Sequence, residues 1–213
     1  MKHYGYFRSS AAWRVRIALN LKGVAHENIV VHLRKGEQKS PEHLSRNPQG
    51  LVPALETGGE TLTQSLAILE WLEEAHPEPP LLPADPIARA HARAVAQIIA
   101  CDIHPLQNLR VLSYLRENFG ADQGAVDLWC QRWIGAGLAA VEELLRRADH
   151  GQPFAFSGTP GMADICLVPQ LYGAERFKVD VSGLARVRAV GAACAEHPAF
   201  ARADLRAQPD YED

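Results

Sequence analysis

A proline-rich segment at residues 76–83 is the feature that most constrains how this chain folds. Proline lacks a main-chain N–H group and restricts the residue before it, so neither a helix nor a central strand can run through this segment. The segment therefore predicts a boundary between two domains, the first over residues 1–82 and the second over residues 88–213.

The chain before the boundary predicts a compact α/β domain. Strand-like and helical patterns follow one another in the order β-α-β-α-β-β-α. Gly23 is expected to end the first helix, and Ser65 is expected to be the N-cap of the third, over 65–74. The four strands are expected at residues 3–7, 26–33, 52–56 and 61–64.

The chain after the boundary predicts an all-helical domain, because only helical periodicity is convincing there. The polar tail after Ala203 is expected to be loose. The predicted fold class is therefore α/β plus all-α. Its C-terminal helices are expected at residues 87–101, 111–119, 126–148, 163–173 and 184–197.

Composition excludes several classes of function. A net charge of −3 argues against a nucleic-acid partner, and no apolar run is long enough to span a bilayer. The N-terminus enters a strand-like segment without the apolar core of a signal peptide. The four widely spaced cysteines form no CxxC motif and suggest buried, reduced thiols. We therefore expect a cytoplasmic protein with no membrane partner.

Two neighbouring hydroxyl groups, on Ser9 and Ser10, stand where the first helix is expected to begin. Serine is a favoured N-cap, so these residues can be structural caps. The exposed N–H groups and the dipole of a helix start also attract anions, so a hydroxyl here can instead hold a thiolate. Both interpretations stay open. The basic residues of this helix fall off its apolar stripe, and they are Arg14, Arg16 and Lys22.

Two other segments each have two interpretations. Pro53 is either an edge-strand proline or a proline that follows a cis peptide bond. Gln64 and Ser65 stand at a helix start, where they either cap the helix or receive a carboxylate. No HxxxH pair or carboxylate set with ligand spacing is present, so no metal site is expected.

Four motifs together resemble the zeta-class glutathione transferases, the maleylacetoacetate and maleylpyruvate isomerases. They lie at residues 9–19, 47–55, 64–72 and 101–112, in the right order and through both halves of the chain. The resemblance implies a thioredoxin-like N-terminal domain, a helical C-terminal domain, glutathione as cofactor and a homodimer. It also implies a maleyl keto acid as the substrate.

The resemblance also implies a set of site residues. Ser9 and Ser10 are the catalytic candidates. His104 is either a pocket donor beside Asn108 or a histidine at a helix-breaking junction. The substrate carboxylates are assigned to Arg8, Arg110 and Arg176. The implied contacts to glutathione are Ser9, Ser10, Ala11, Gln38, Val52, Pro53, Gln64, Ser65, Asp102, His104 and Asn108.

The chemistry of this substrate class sets what the site must supply. A thiolate adds to the cis double bond, the resulting single bond rotates, and the thiolate leaves from the trans product. The protein must favour the thiolate, bind carboxylates and stabilise an enolate. Many relatives have a cysteine where this chain has Ala11, so activation is expected from Ser9, Ser10 and main-chain dipoles. Asp164 is expected to complete a structural capping box with Gly161.

Three functions remain open at this stage. The first is glutathione-dependent isomerisation of maleylacetoacetate, with maleylpyruvate as the alternative substrate. The second is a general glutathione transferase that conjugates or dehalogenates its substrates. The third is a non-catalytic interaction protein of the same fold, against which the serine, glutamine and arginine set argues.

Overall fold

The computed structural model describes residues 1–148 and 151–212; residues 149, 150 and 213, which fall in the predicted second domain, lie outside the described part. The chain forms two compact units. The first unit combines Met1–Leu81 with the chain from Ala195 onward, and the second unit is Leu82–Cys194. The division after Leu81 falls in the proline-rich segment. The C-terminal chain differs from the expectation, since it packs with the first unit.

The elements of the described residues are numbered here in chain order. The strands are β1 (Lys2–Gly5), β2 (Glu27–Val30), β3 (Ala54–Thr57) and β4 (Glu60–Thr63). The helices are α1 (Ser10–Lys22), α2 (Pro41–Arg46), α3 (Ser65–Ala75), α4 (Pro86–Gln97), α5 (Leu109–Phe119), α6 (Gln123–Arg147), α7 (Met162–Arg176), α8 (Ala185–Ala195) and α9 (Pro198–Ala203).

The strands of the first unit form one mixed sheet in the order β2-β1-β3-β4. β1 pairs in parallel with β2, with Lys2 opposite Glu27, and antiparallel with β3, with His3 opposite Leu55. β3 and β4 form an antiparallel hairpin. This is the thioredoxin-like arrangement that the family resemblance implied.

The observed strands are shorter than expected at two places. Tyr6 and Phe7 lie in a turn after β1, and Leu33 begins a short 3₁₀ helix after β2. The peptide bond before Pro53 is cis, and β3 begins only at Ala54, in the centre of the sheet. The alternative of an edge-strand proline is therefore excluded.

Helix α1 is buried on nearly all sides, packed against α3 and α9. Its basic residues were expected off the apolar stripe, yet Arg14 is 1% exposed, Arg16 4% and Lys22 7%. The Lys22 Nζ donates to the carboxylate of Glu73 at 2.7 Å and to the carbonyl of Pro79 at 2.7 Å. Buried acceptors thus replace water around these cations, which is why they can leave the surface. Gly23 ends the helix in the left-handed conformation, as expected, with φ 65°.

The tail after Ala203 is ordered, contrary to expectation. Leu205 and Gln208 are buried, and the Gln208 amide donates to two main-chain carbonyls. Asp210 accepts a hydrogen bond from the Phe7 N–H at 2.9 Å. The polar side chains that suggested a loose tail instead form these hydrogen bonds within the first unit.

The second unit is helical, and no strand occurs in its described residues. Helix α4 runs into a π-helical turn, Ile98–Ile103, followed by a 3₁₀ turn, His104–Gln107. Gly137 of α6 faces Ile103, and a Cβ there would lie within 2.4 Å of two carbons of its side chain. The absence of a side chain at Gly137 therefore lets the π-helical turn pack closely on α6.

The start of α7 contains the expected capping box. One Asp164 oxygen accepts from the Gly161 N–H at 2.8 Å, and the other accepts from the Ala155 N–H at 2.9 Å. Burial raises the pKa of Asp164 to about 6. The box joins the loop before α7 to the helix, which supports its structural role.

The expectation of buried, reduced cysteines is met only in part. All four cysteines are free, but Cys101 is exposed, whereas the other three are buried as expected. Within residues 1–148 and 151–212, no helix has the length and apolar character needed to cross a bilayer. The described residues also contain no group of three His, Cys, Asp or Glu side chains able to hold a metal ion.

His3 is expected to make the protein less stable in acid. Burial lowers the pKa of His3 from 6.5 to about 3, so the folded state keeps it neutral while the unfolded chain protonates it. Its contribution to stability is therefore present above pH 6.5 and is lost as the pH falls toward 3. In His3→Gln, the Tm measured by circular dichroism should fall less steeply over this range. His91→Gln, at an exposed position, is the control, and equal slopes in wild type and His3→Gln would contradict the assignment.

Candidate functional site

The start of α1 presents hydroxyl and N–H groups side by side. Ser9 is the N-cap, and its Oγ accepts from the Ala12 N–H at 3.2 Å. A hydroxyl that accepts one hydrogen bond can still donate its own proton. Among the described residues, the N–H groups of Ser10 and Ala11 have no main-chain acceptor. The helix start therefore offers two hydroxyl donors and two N–H donors to an anion, and no acidic residue occupies the first turn.

The hydroxyl of Tyr6 already donates its proton to another side chain. It donates to the Glu212 carboxylate at 2.7 Å. Burial, together with this carboxylate, raises the pKa of Tyr6 to about 12. The two serines are thus better placed than Tyr6 to favour an anion at this helix start.

A buried arginine joins the starts of α1 and α3. Arg14 Nη1 donates to Ser65 Oγ at 3.2 Å, and both side chains are buried. The prediction that Ser65 is the N-cap was wrong. Ser65 is the first residue of α3. The N-cap is Gln64, which makes no side-chain capping bond. Because the serine hydroxyl already has a partner from α1, it does not turn back to cap its own helix.

Gln64 has a backbone conformation that L-residues rarely adopt. Its φ is 67° and its ψ 116°, and its exposed side chain donates to Gln49 at 2.6 Å. Such a conformation is strained for a residue with a Cβ, and strain of this kind clusters at ligand sites. It turns the chain sharply from β4 into α3.

The main chain at Val52 is open to an extended ligand. Among the described residues, its N–H and C=O make no hydrogen bond, although Val52 is buried. The loop before it is braced by two buried side chains, since His43 Nε2 and Asn47 Nδ2 each lie 2.8 Å from the carbonyl of Leu51. The peptide bond from Val52 to Pro53 is cis, and β3 begins at the next residue, Ala54.

Gln38 lies in the short 3₁₀ turn Glu37–Lys39. Its Oε1 is buried and has no hydrogen-bond partner among residues 1–148 and 151–212. An unsatisfied buried amide oxygen is costly unless a ligand or water supplies a donor. The main chain of Gln38 is near the loop before Val52, since its carbonyl oxygen would lie 3.2 Å from a Cβ on Gly50.

Arg8 immediately precedes the serines. It is half-buried, and its guanidinium lies 5.7 Å from the centre of the Phe7 ring. The first unit thus brings together, on the loops and helix starts around one end of its sheet, the nine candidates that it contains. They are Arg8, Ser9, Ser10, Ala11, Gln38, Val52, Pro53, Gln64 and Ser65.

The second unit carries the other candidates, four of them within one short stretch. Asp102 is exposed in the π-helical turn, and His104 stands at the junction to the 3₁₀ turn. Asn108 is the N-cap of α5, where its Oδ1 accepts from the Arg110 N–H at 3.1 Å. The Arg110 side chain is exposed. The Oδ1 of Asn108 therefore has a structural role as a helix cap. Its amide nitrogen, Nδ2, takes no part in that cap and can still bind a ligand.

Arg176 is the last residue of α7 and is exposed, with its guanidinium 5.1 Å from the centre of the Phe177 ring. Six residues earlier in the same helix, the fully buried Gln170 accepts from the Gln107 amide at 2.8 Å. This amide pair fixes the 3₁₀ turn to α7. It therefore holds the segment with His104 in a defined position within the second unit.

Sequence reasoning missed the residues that brace these candidates. Arg14 and Arg16 were interpreted as surface cations, and Asn47 and His43 were given no role. The only available signal was composition: a helix with three basic residues among small and apolar ones, and an asparagine before a Pro-Gln-Gly turn. Neither pattern identifies the acceptors, because these lie far away in the sequence.

Comparisons with known proteins show a family match in the first part of the chain and a relative similar over its whole length. Residues 8–75 match the model of the glutathione S-transferase N-terminal domain. A maleylacetoacetate isomerase of Pseudomonas aeruginosa is 49% identical over 213 residues, which cover 99% of this chain and 98% of that protein.

Two solved structures are similar over their full length. A maleylpyruvate isomerase described as a bacterial zeta-class glutathione S-transferase has a TM-score of 0.97 at 51% identity, with complete coverage of both chains. A maleylacetoacetate isomerase of Methylobacterium extorquens, solved with bound malonate and glutathione, has a TM-score of 0.95 at 41% identity, again with complete coverage.

The strain at Gln64 predicts an inverted order of stability for two variants. Glycine adopts a positive φ freely, so Gln64→Gly should be more stable than Gln64→Ala by about 1 kcal/mol. Urea unfolding measures this difference. At the exposed Glu60 of β4, the glycine variant should instead be the less stable of the matched pair. An alanine variant at residue 64 that equals or exceeds the glycine variant would rule out strain there.

Proposed function

We infer the activity of this chain from its family: it belongs to the zeta class of the glutathione transferases, which includes the maleylacetoacetate and maleylpyruvate isomerases. The function supported best is glutathione-dependent cis–trans isomerisation of a maleyl keto acid. The proposed reaction converts maleylacetoacetate to fumarylacetoacetate.

The observation that carries this proposal is the start of α1. Two hydroxyls and, among the described residues, two main-chain N–H groups without main-chain acceptors lie at the positive end of a helix. A helix N-terminus and hydrogen-bond donors favour the anionic form of a thiol and so lower its pKa. A site of this kind matches the need for a thiolate at neutral pH.

The first unit has groups suited to each part of glutathione. The open main chain of Val52 can pair with the cysteinyl residue as an added strand does. The start of α3, at Gln64 and Ser65, can receive the γ-glutamyl carboxylate. The unsatisfied Gln38 oxygen fits the main-chain N–H of the glycyl end. Ser9 and Ser10 then lie on the side of the cysteinyl sulfur.

Bound glutathione supplies the sulfur nucleophile that adds to the cis double bond, allows its rotation and leaves again. The chain's own residues do the rest. The hydroxyls of Ser9 and Ser10 donate hydrogen bonds to the thiolate. Ala11 contributes only its N–H, so no protein thiol competes with that of glutathione.

The substrate carries carboxylates that need cationic partners. A guanidinium binds a carboxylate through two parallel hydrogen bonds. Arg8 in the first unit, with Arg110 and Arg176 in the second, are the proposed partners. Asp102, His104 and Asn108 are proposed as further contacts to glutathione, with His104 as a hydrogen-bond donor.

The choice of substrate rests on family frequency. Maleylacetoacetate is the commoner substrate of the family, which favours it. Maleylpyruvate is the second candidate, because the structure of a maleylpyruvate isomerase is 51% identical and similar over its full length. Both substrates carry a cis double bond conjugated to a carbonyl, so the same thiolate chemistry serves either.

A homodimer in the cytoplasm is proposed from the same family membership. Large exposed apolar side chains on the second unit, among them Ile87, Phe119 and Leu128, are compatible with a covered surface. Light scattering on the purified protein distinguishes a dimer from a monomer.

An ultraviolet assay with the purified chain tests the function. With maleylacetoacetate, the cis-enone absorbance should be lost only when glutathione is present. A small amount of glutathione should suffice, because the reaction regenerates it. A parallel assay with maleylpyruvate compares kcat/KM for the two substrates. Conjugation of a chloro-aromatic compound without any loss of the cis-enone band would reject the isomerase in favour of a general transferase.

Removal of the two hydroxyls should slow the reaction far more than it destabilises the fold. In Ser9→Ala/Ser10→Ala we expect kcat to fall by about 100-fold or more, as for other lost donors to a reacting anion. Loss of the cap should cost only about 1 kcal/mol in the free energy of unfolding. Ser9→Gly is the matched variant, since glycine retains a tolerable N-cap without a hydroxyl. An unchanged kcat in the double variant would remove the serines from thiolate activation.

Arg176 is expected to act on substrate binding. Arg176→Ala should raise KM for the maleyl substrate about tenfold with little change in kcat, because a hydrogen bond to a charged group contributes about 1.5–3 kcal/mol. Arg132→Ala, at an exposed position of α6, is the control. Steady-state kinetics with KM equal in both variants would place Arg176 outside the binding site.

A further inference from the structure

The main chain just before the catalytic candidates forms a tight turn, residues 6–9, here named the serine turn. The Ser9 N–H donates to the Tyr6 carbonyl at 3.0 Å and closes the turn. Ser9 is at once the last residue of this turn and the N-cap of α1. The position of its hydroxyl therefore follows the position of the turn.

Arg16 holds the serine turn from the helix side. Its Nη1 donates to the Tyr6 carbonyl at 3.3 Å and its Nη2 to the Phe7 carbonyl at 2.9 Å. The Nε of the same guanidinium donates to the Ala203 carbonyl at 3.3 Å, at the end of α9. One buried cation thus joins the turn to the C-terminal chain.

The C-terminal chain holds the serine turn from the other side. The Asp210 carboxylate accepts from the Phe7 N–H at 2.9 Å, and the Glu212 carboxylate accepts from the Tyr6 hydroxyl at 2.7 Å. Between them, the ring of Tyr211 packs edge-on against Phe7, with centroids 5.6 Å apart. Three consecutive C-terminal residues therefore contact two consecutive residues of the turn.

Asp210 also acts on the buried cation. Burial lowers the pKa of Arg16 to about 10, whereas the charges of Asp210 and Asp204 oppose this shift. Without Asp210, the Phe7 N–H loses its acceptor and the guanidinium loses a counter-charge. A buried donor and a buried charge that are left uncompensated favour local rearrangement.

We propose that Asp210 is a positioning residue for the isomerisation: it fixes the serine turn, and thereby places the hydroxyls of Ser9 and Ser10 around the thiolate. It acts through the main chain of Phe7. The proposal rests on the proposed function, because it takes the two serines as the thiolate site.

Two variants separate the hydrogen bond from the charge. Asparagine keeps an oxygen that can accept from the Phe7 N–H, whereas alanine has none. Asp210→Ala should lower kcat by about 10-fold to 100-fold, because small displacements of reacting groups have effects of this size. KM for the maleyl substrate should change by less than about twofold, and Asp210→Asn should recover most of kcat.

Two further readouts do not depend on turnover. Without glutathione, hydrogen exchange of the Phe7 and Ser9 amides, which donate to Asp210 and to the Tyr6 carbonyl, should be faster in Asp210→Ala than in wild type. With glutathione alone, the ultraviolet absorbance of the bound thiolate should appear at higher pH. Glu196→Gln, which alters an exposed carboxylate of the same C-terminal chain, should leave all readouts unchanged.

The outcomes show whether Asp210 positions the serine turn or only contributes to the stability of the fold. A fall in kcat with unchanged amide exchange and an unchanged thiolate midpoint would overturn the proposal, as would an unchanged kcat in Asp210→Ala. If Asp210→Ala does not fold, Glu212→Gln weakens the neighbouring contact to Tyr6 and should move the same readouts by less; no movement there overturns the proposal too. If the wild type does not isomerise maleyl substrates, the proposed function fails, while amide exchange and the thiolate midpoint still test whether Asp210 holds the turn.

Discussion

The hydrogen bonds of Arg16 are the interaction on which the rest of the first unit depends. Arg16 is 4% exposed, so its guanidinium must find its acceptors inside the protein, and it finds them on main-chain carbonyls of the serine turn and of α9. These carbonyls are fixed points of the chain, so satisfying the cation also fixes the segments that carry them. The same logic applies to Arg14, which ties the start of α3 to α1 through Ser65.

Buried cations on one helix explain how a site made from loops can be rigid. The candidate ligands lie on a turn, a helix start and a loop before β3, which are the parts of a fold that usually move most. Here each is held from within: the turn by Arg16, the start of α3 by Arg14, and the loop before Val52 by Asn47 and His43. The groups left open are then main-chain donors and acceptors in fixed positions, which suit a peptide such as glutathione. A site of this type needs no reactive side chain of its own, which is consistent with Ala11 beside the serines.

Local patterns predicted the elements well, and remote contacts explain the errors. Gly23 ends α1 because glycine accepts the left-handed conformation without strain, which is a property of that residue alone. Ser65 was assigned as an N-cap on the same local reasoning, but its partner, Arg14, is 51 residues away. The order of the C-terminal tail was missed for the same reason, since the bond between Phe7 and Asp210 spans 203 residues. A single sequence shows that such polar groups exist, but not which distant acceptor each will meet.

The two units differ in how firmly they hold their candidates, and this bears on substrate choice. In the first unit most of the candidate groups are main-chain atoms or serine hydroxyls, and buried residues brace the segments that carry them. In the second, the side chains of Asp102, Arg110 and Arg176 are exposed at helix ends and turns. A long arginine side chain at the surface can reach carboxylates at different distances, whereas a main-chain N–H cannot. The cofactor should therefore be selected by the rigid first unit. If the proposed substrate contacts of Arg110 and Arg176 hold, discrimination between maleylacetoacetate and maleylpyruvate, which differ in the distance between their end groups, should depend on the second unit.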